Sequence, residues 1–85
     1  MTPLMAEQVS VVETEYGMVL LDERTGEYWQ LTPSASTIVA RLRDGGGVEE
    51  AVVALTRAFD VNEETARRDT LALVERLVQL QVMTR

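Results

Sequence analysis

Gly26-Glu27-Tyr28-Trp29-Gln30-Leu31 holds the only Trp of the chain and one of its two Tyr. Aromatic and apolar residues mix here with polar ones, and Thr25-Gly26 and Thr32-Pro33 bound the stretch. That pattern predicts a strand rather than the start of a helix. Whether its neighbours leave one edge of this strand open decides what the chain can do, because an unpaired edge offers a row of N–H and C=O groups to another chain.

Toward the N-terminus, Met18-Val19-Leu20-Leu21 puts four apolar residues in a row. The run is too short for a helix and suits a strand covered on both faces, in the middle of a three-stranded sheet. Asp22 to Gly26 turns the chain from it into the aromatic strand. Before it, Glu15-Tyr16-Gly17 is a turn, and the β-branched Val9, Val11 and Val12 predict a first strand over Gln8 to Thr14. Two successive hairpins make a meander. Residues 1–7 contain Pro3 and show no period, and they read as a flexible lead-in to a single domain over 8–85.

Toward the C-terminus, Thr32 is an N-cap and Pro33 stands at the first helical position, where its missing N–H costs nothing. Ala35, Ile38, Val39 and Leu42 then follow the spacing of one helix face. Gly45-Gly46-Gly47 stops that helix. A triple glycine could also cradle phosphate, but no Lys-Ser/Thr follows it. A second helix runs from Val48 to Phe59, with Val48, Val52, Leu55 and Phe59 on one face and Glu49 and Glu50 complementing the dipole of the first turn. Asn62 caps a third helix, Glu63 to Leu80. At about 100° per residue, Ala66, Thr70, Leu73, Leu77 and Leu80 make its expected core face, opposite Arg68, Glu75 and Gln79. One shoulder carries Arg67, Leu71, Val74 and Val78, the other Asp69, Ala72 and Arg76. The fold class expected is α+β, a three-stranded antiparallel sheet followed by a three-helix bundle in the order of a winged helix-turn-helix unit.

Composition removes several functions. Eighty-five residues make one domain that buries only about 60 to 65% of its unfolded surface, which leaves little room for a deep catalytic pocket. Without Cys or His, the usual zinc sites, thiol nucleophiles and Ser/His/Asp triads are excluded. No run of acids has the spacing of a calcium loop, and neither metal nor cofactor is expected. The formal charge is −6; residues 1–31 hold six acids against Arg24 alone, and residues 32–85 hold eight acids against seven Arg. That balance disfavours nucleic acid as a partner. No apolar run reaches a membrane span and no signal-peptide pattern opens the chain, so a cytoplasmic location is expected, which the absence of Cys fits.

The run Leu20-Leu21-Asp22-Glu23-Arg24-Thr25-Gly26-Glu27-Tyr28-Trp29-Gln30-Leu31-Thr32-Pro33 resembles the PqqD-like proteins, the recognition elements of ribosomally made peptide natural products. The glycine stop, Val48-Glu49-Glu50, Phe59-Asp60-Val61 and Asp69 followed by Leu73, Val74 and Leu77 extend the likeness over residues 8–84. Two positions depart from the usual pattern: Thr32 stands where Asn is common, and Val82-Met83 stands where Gly-Leu is common. The resemblance implies a non-catalytic, monomeric protein that binds the leader segment of a precursor peptide as a fourth strand along the third strand, with the third helix as the other wall. On the strand side it implies Glu27, Tyr28, Trp29, Gln30 and Leu31; on the helix side Arg68, Asp69, Ala72, Leu73 and Arg76. Leu73 with Tyr28 or Trp29 would form an apolar pocket. Free-standing members of this length are similar to the recognition proteins of lasso-peptide clusters, which pass the precursor to a leader peptidase and a cyclase; other members serve radical-SAM pathways.

Two readings of other classes compete. A winged helix-turn-helix DNA binder would read bases through Arg67-Arg68 at the start of the third helix, against the charge balance. A dimerisation module would use the surplus apolar shoulder of that helix.

Overall fold

The computed structural model describes residues 3–84; Met1 and Thr2, the first part of the expected lead-in, and Arg85 lie outside them. The order of elements is β1 (Leu4–Met5), β2 (Val9–Thr14), β3 (Gly17–Asp22), β4 (Tyr28–Leu31), α1 (Pro33–Arg43), α2 (Val48–Ala58), α3 (Glu63–Gln79) and β5 (Met83–Thr84). The expected meander forms an antiparallel sheet in the order β2-β3-β4, with Leu20 opposite Trp29 and Leu21 opposite Tyr28.

Alternation along β3 explains its apolar run. Met18, Leu20 and Asp22 are buried while Val19 and Leu21 are half-buried, so the strand is central but only one of its faces is fully covered, contrary to the expectation from four apolar residues in a row. The helices supply that cover: Met18, Leu20 and Leu31 join Ile38, Val39 and Leu42 of α1, Val52 and Leu55 of α2, and Val74 and Leu77 of α3 in one core. Gly17 holds the hairpin close to the end of β4. Its φ is +134°, and a Cβ there would stand 2.9 Å from the Leu31 carbonyl oxygen, so both backbone and space require glycine.

The helix boundaries follow local chemistry. Thr32 Oγ1 accepts the Ala35 N–H at 3.2 Å, and Asn62 Oδ1 accepts the Thr65 N–H at 2.8 Å; these are the N-caps read from the sequence. In α3 the buried residues are Ala66, Thr70, Val74 and Leu77, with Leu73 and Leu80 only half-buried. The core stripe is thus turned toward Val74 relative to the expected face. The cause is packing: α3 lies chiefly against α2, and Arg67, on the Val74 side, reaches Glu49 of α2. The opposite shoulder is left outward.

Part of the segment read as a lead-in is regular. Leu4 pairs with Thr84 and Met5 with Met83, and the Ala6 N–H donates to the Val82 carbonyl at 2.8 Å. Two-residue strands carry no period, which is why neither end showed it. The turn from α3 into β5 is also where Val82-Met83 depart from the family pattern, and the ending is nevertheless a closed one. The Val82 N–H donates to the Leu77 carbonyl and the Gln81 N–H to that of Val78, the two bonds of a Schellman motif. Gln81 takes the left-handed conformation at φ 63°, which costs any residue other than glycine. Gln81→Gly is therefore expected to stabilise the fold by roughly 0.5–1 kcal/mol, read as a rise of several degrees in Tm by calorimetry.

Candidate functional site

β4 is an edge strand, with no partner on its far side among the described residues. Its position is set by the turn before it. Asp22 is buried, and its Oδ1 accepts the N–H groups of Arg24 at 2.9 Å and Thr25 at 3.2 Å, an Asx-type turn. Burial pushes the Asp22 carboxyl up, but those backbone donors, the Gln8 side chain and the Arg24 charge outweigh it, so its pKa lies below the ordinary value. Glu27 belongs to this turn rather than to the strand where it was expected; its carbonyl accepts the Asp22 N–H at 2.8 Å.

That bond also fixes which backbone groups face the open edge. In an antiparallel ladder, residues whose N–H and C=O point to the partner alternate with residues whose groups point away. Since Asp22 and Glu27 form a bonded pair one step beyond the Leu21–Tyr28 register, Trp29 and Leu31 bond toward β3, and Tyr28 and Gln30 turn their N–H and C=O outward. Side chains alternate at right angles to this. Trp29 and Leu31 share the helix-covered face with Leu20 and Met18, Trp29 half-buried against the core and Leu31 buried. Tyr28 is 70% exposed on the other face with Gln30. Of the two aromatic residues, only Trp29 can face the helices with Leu73.

The helix side resolves into two groups. Asp69, Ala72 and Arg76 are exposed on one flank of α3, and Leu73 beside them is half-buried on the core. Asp69 also lines an apolar pocket of about 300 Å³ with Pro33, Ser34, Ile38, Leu55, Phe59 and Val61. Pro33 and Ser34 follow β4 directly, so Asp69 of α3 stands against the exit of the strand. Arg68 turns toward the back of the helix, where it lines a separate depression with Glu64 and Leu71; its Nε lies 3.9 Å from Asp69 Oδ1. This loose contact with its neighbour is that of an ordinary exposed helix residue, worth less than about 1 kcal/mol.

Pro33, Ile38, Leu55, Phe59 and Val61 were not foreseen as lining residues. Phe59-Asp60-Val61 was the visible hint: Phe59 leaves α2 in an extended conformation, which carries its ring to the pocket wall.

The second arginine proposed for DNA reading is committed elsewhere. Arg67 donates to both carboxylate oxygens of Glu49 and to Glu63 Oε1 at 3.1 Å, joining α2 to α3. The hydrogen bond from Arg67 holds the Glu49 carboxyl below its ordinary 4.5, against a smaller opposing effect of burial. A carboxyl lowered by folding adds stability above its unfolded pKa, and that stability is lost as pH falls through the folded value. Glu49→Gln should accordingly lower Tm at neutral pH and leave it unchanged in acid well below the ordinary glutamate value, when thermal melts of both proteins are compared across that range.

Among the described residues no group of acids could hold a metal ion and no helix is long and apolar enough to cross a membrane.

Comparison with known proteins fits this geometry. The family model described as coenzyme PQQ synthesis protein D (PqqD) matches residues 17–82. The chain belongs to the PqqD family. Its match spans β3 through the end of α3, the strand with the open edge and all three helices that line the pocket included. No curated protein matches. Among solved structures, a lasso peptide synthetase B1 complexed with the leader peptide is 40% identical over the whole of both chains, with a TM-score of 0.91. The protein TbiB1, in complex with the TbiA(beta) leader peptide, is 26% identical over 93% of this chain and 92% of its own, with a TM-score of 0.86.

Proposed function

We propose that this PqqD-family protein binds the leader segment of a ribosomally made precursor peptide, of the lasso class, as an added strand along β4. The open edge of β4 carries the reading, supported by the full-length likeness to a B1 protein solved with its leader peptide. Main-chain groups of Tyr28 and Gln30 hold the peptide, and side chains select it. Trp29, Leu31 and Leu73 supply apolar surface beneath it; Ala72 and Arg76 form the far wall. The pocket closed by Phe59 and Asp69 takes one apolar side chain of the leader, with the Asp69 carboxylate accepting from any donor that side chain carries. Glu27 contacts the end of the peptide, and Arg68, on the back of α3, acts through Asp69. The protein performs no chemistry itself; as a monomer in the cytoplasm it presents the precursor to a leader peptidase and a cyclase.

The test is titration of a fluorescently labelled leader peptide from the precursor encoded beside this protein. Saturable binding is expected, and its absence would sink the reading. Trp29→Ala and Phe59→Ala should each weaken binding about tenfold or more, as buried aromatic anchors do. Asp69→Ala should weaken it a few-fold, with far-ultraviolet circular dichroism intact in all three. Loss of fold in the set would mean that these residues are core rather than groove.

A further inference from the structure

The helices cover the face of the meander that carries Met18, Leu20 and Leu31. The opposite face is built from two rows, because residues in register across a sheet share a face. One row is Ser10, Leu21 and Tyr28, and the other is Val12, Val19 and Gln30. Val19 and Leu21 are half-buried, Val12 is 50% exposed and Tyr28 70%. A single exposed apolar or aromatic residue needs no explanation. Tyr28 is different in its place, since it stands on the open edge, where an added strand must pass.

Side chains of a strand added to β4 alternate between the two faces of the sheet. Those on the face of Trp29 enter the groove beside α3. Those between them fall on the outer face, beside Tyr28 and Gln30, whose outward N–H and C=O groups make the pairing. Opposed residues bring their Cβ atoms to about 5 Å, within reach of a tyrosine ring. The two rows then offer different chemistry. A side chain that extends the first row meets the Tyr28 ring with Leu21 behind it, and covering that ring removes apolar surface from water. A side chain that extends the second meets the exposed Gln30 amide, which donates and accepts hydrogen bonds.

We propose that Tyr28 and Gln30 select the leader from the outer face of the sheet. An apolar or aromatic leader residue packs on the Tyr28 ring, and a hydrogen-bonding residue two positions away meets the Gln30 amide. The inference rests on the β4 edge as the leader site and adds a second set of contacts, on the face away from the Asp69 pocket. It has a consequence for the peptide. A groove on one face reads every second residue of a strand, whereas selection from both faces makes neighbouring leader residues matter.

The test titrates the labelled leader, and copies of it with serine at one position at a time, against the natural protein, Tyr28→Thr, Tyr28→Phe, Trp29→Ala and Val12→Thr. Threonine keeps the preference for a strand and the main-chain groups of the edge. Tyr28→Thr is expected to weaken the natural leader about fivefold or more with circular dichroism unchanged, and Tyr28→Phe, which keeps the ring, to stay within twofold. Val12→Thr lies on the same face but in β2, two strands from the edge, and should also stay within twofold. One serine-substituted leader, altered at an apolar residue, should lose no further affinity in Tyr28→Thr. That position should lie an odd number of residues from the one that behaves so in Trp29→Ala, because the two rings face opposite ways. Leader affinity within twofold in Tyr28→Thr, an equal loss in Val12→Thr, or an even separation of the two positions would overturn the inference. Leader binding that depends on Trp29 but not on Tyr28 would overturn it alone and leave the leader reading standing; no binding to the natural protein would end both.

Discussion

A Gln30→Pro variant is expected to keep its fold and to lose leader binding by roughly a hundredfold or more, about 3 kcal/mol. The Gln30 N–H points away from β3, so proline removes no bond of the sheet; the residue before it, Trp29, is already extended, as proline requires. On an edge strand with its N–H outward, proline is tolerated. An incoming strand, however, loses a donor at the centre of the edge and meets the pyrrolidine ring in the plane where it must lie. Trp29→Pro is the opposite case, for it takes an N–H from the ladder to β3 and should destabilise the sheet. Circular dichroism with leader titration separates the two. Binding of Gln30→Pro within threefold of the natural protein would show that the peptide does not add at this edge.

Leu20→Ala carries the largest expected effect on stability. Leu20 is fully buried in the central strand, opposite Trp29, and truncating such a leucine costs about 2–5 kcal/mol. For a domain whose whole stability is on the order of 5–15 kcal/mol, that is a large share. A fall in Tm of roughly 10 °C or more is expected, read by calorimetry or urea denaturation. The cavity opens beneath Trp29, so leader affinity should fall as well, through a strand that is no longer held flat. A change of under about 1 kcal/mol would mean that the core is not centred on β3.

The meander and the three helices could be read from the sequence because each boundary has a local chemical cause. Thr32-Pro33 and Asn62 announce helix starts; three glycines stop one. On the strand side of the candidate site, alternation puts Tyr28 and Trp29 on opposite faces. Which of them faces the helices was not legible, because that depends on Leu20 and Met18 across the ladder. Helical periodicity gave the right flank of α3 for Asp69, Ala72 and Arg76 but set the core stripe on Leu73 rather than Val74, as the position of α2 is not a property of α3. The pocket was hidden altogether: its wall is drawn from α1, α2, the linker at Val61 and α3, and no window of sequence contains them together.

The pairing of Leu4–Met5 with Met83–Thr84 bears on the order in which the molecule assembles. It closes nearly the whole chain into a single loop, whereas the two hairpins close a few residues each. By the logarithmic growth of closure entropy with length, that contact costs about 2 kcal/mol more to form than a hairpin does when nothing else is folded. It becomes affordable only once α3 and the sheet have brought the two ends together. The clasp is thus expected to close after the hairpins, and the edge proposed to receive the peptide to be built before the ends meet.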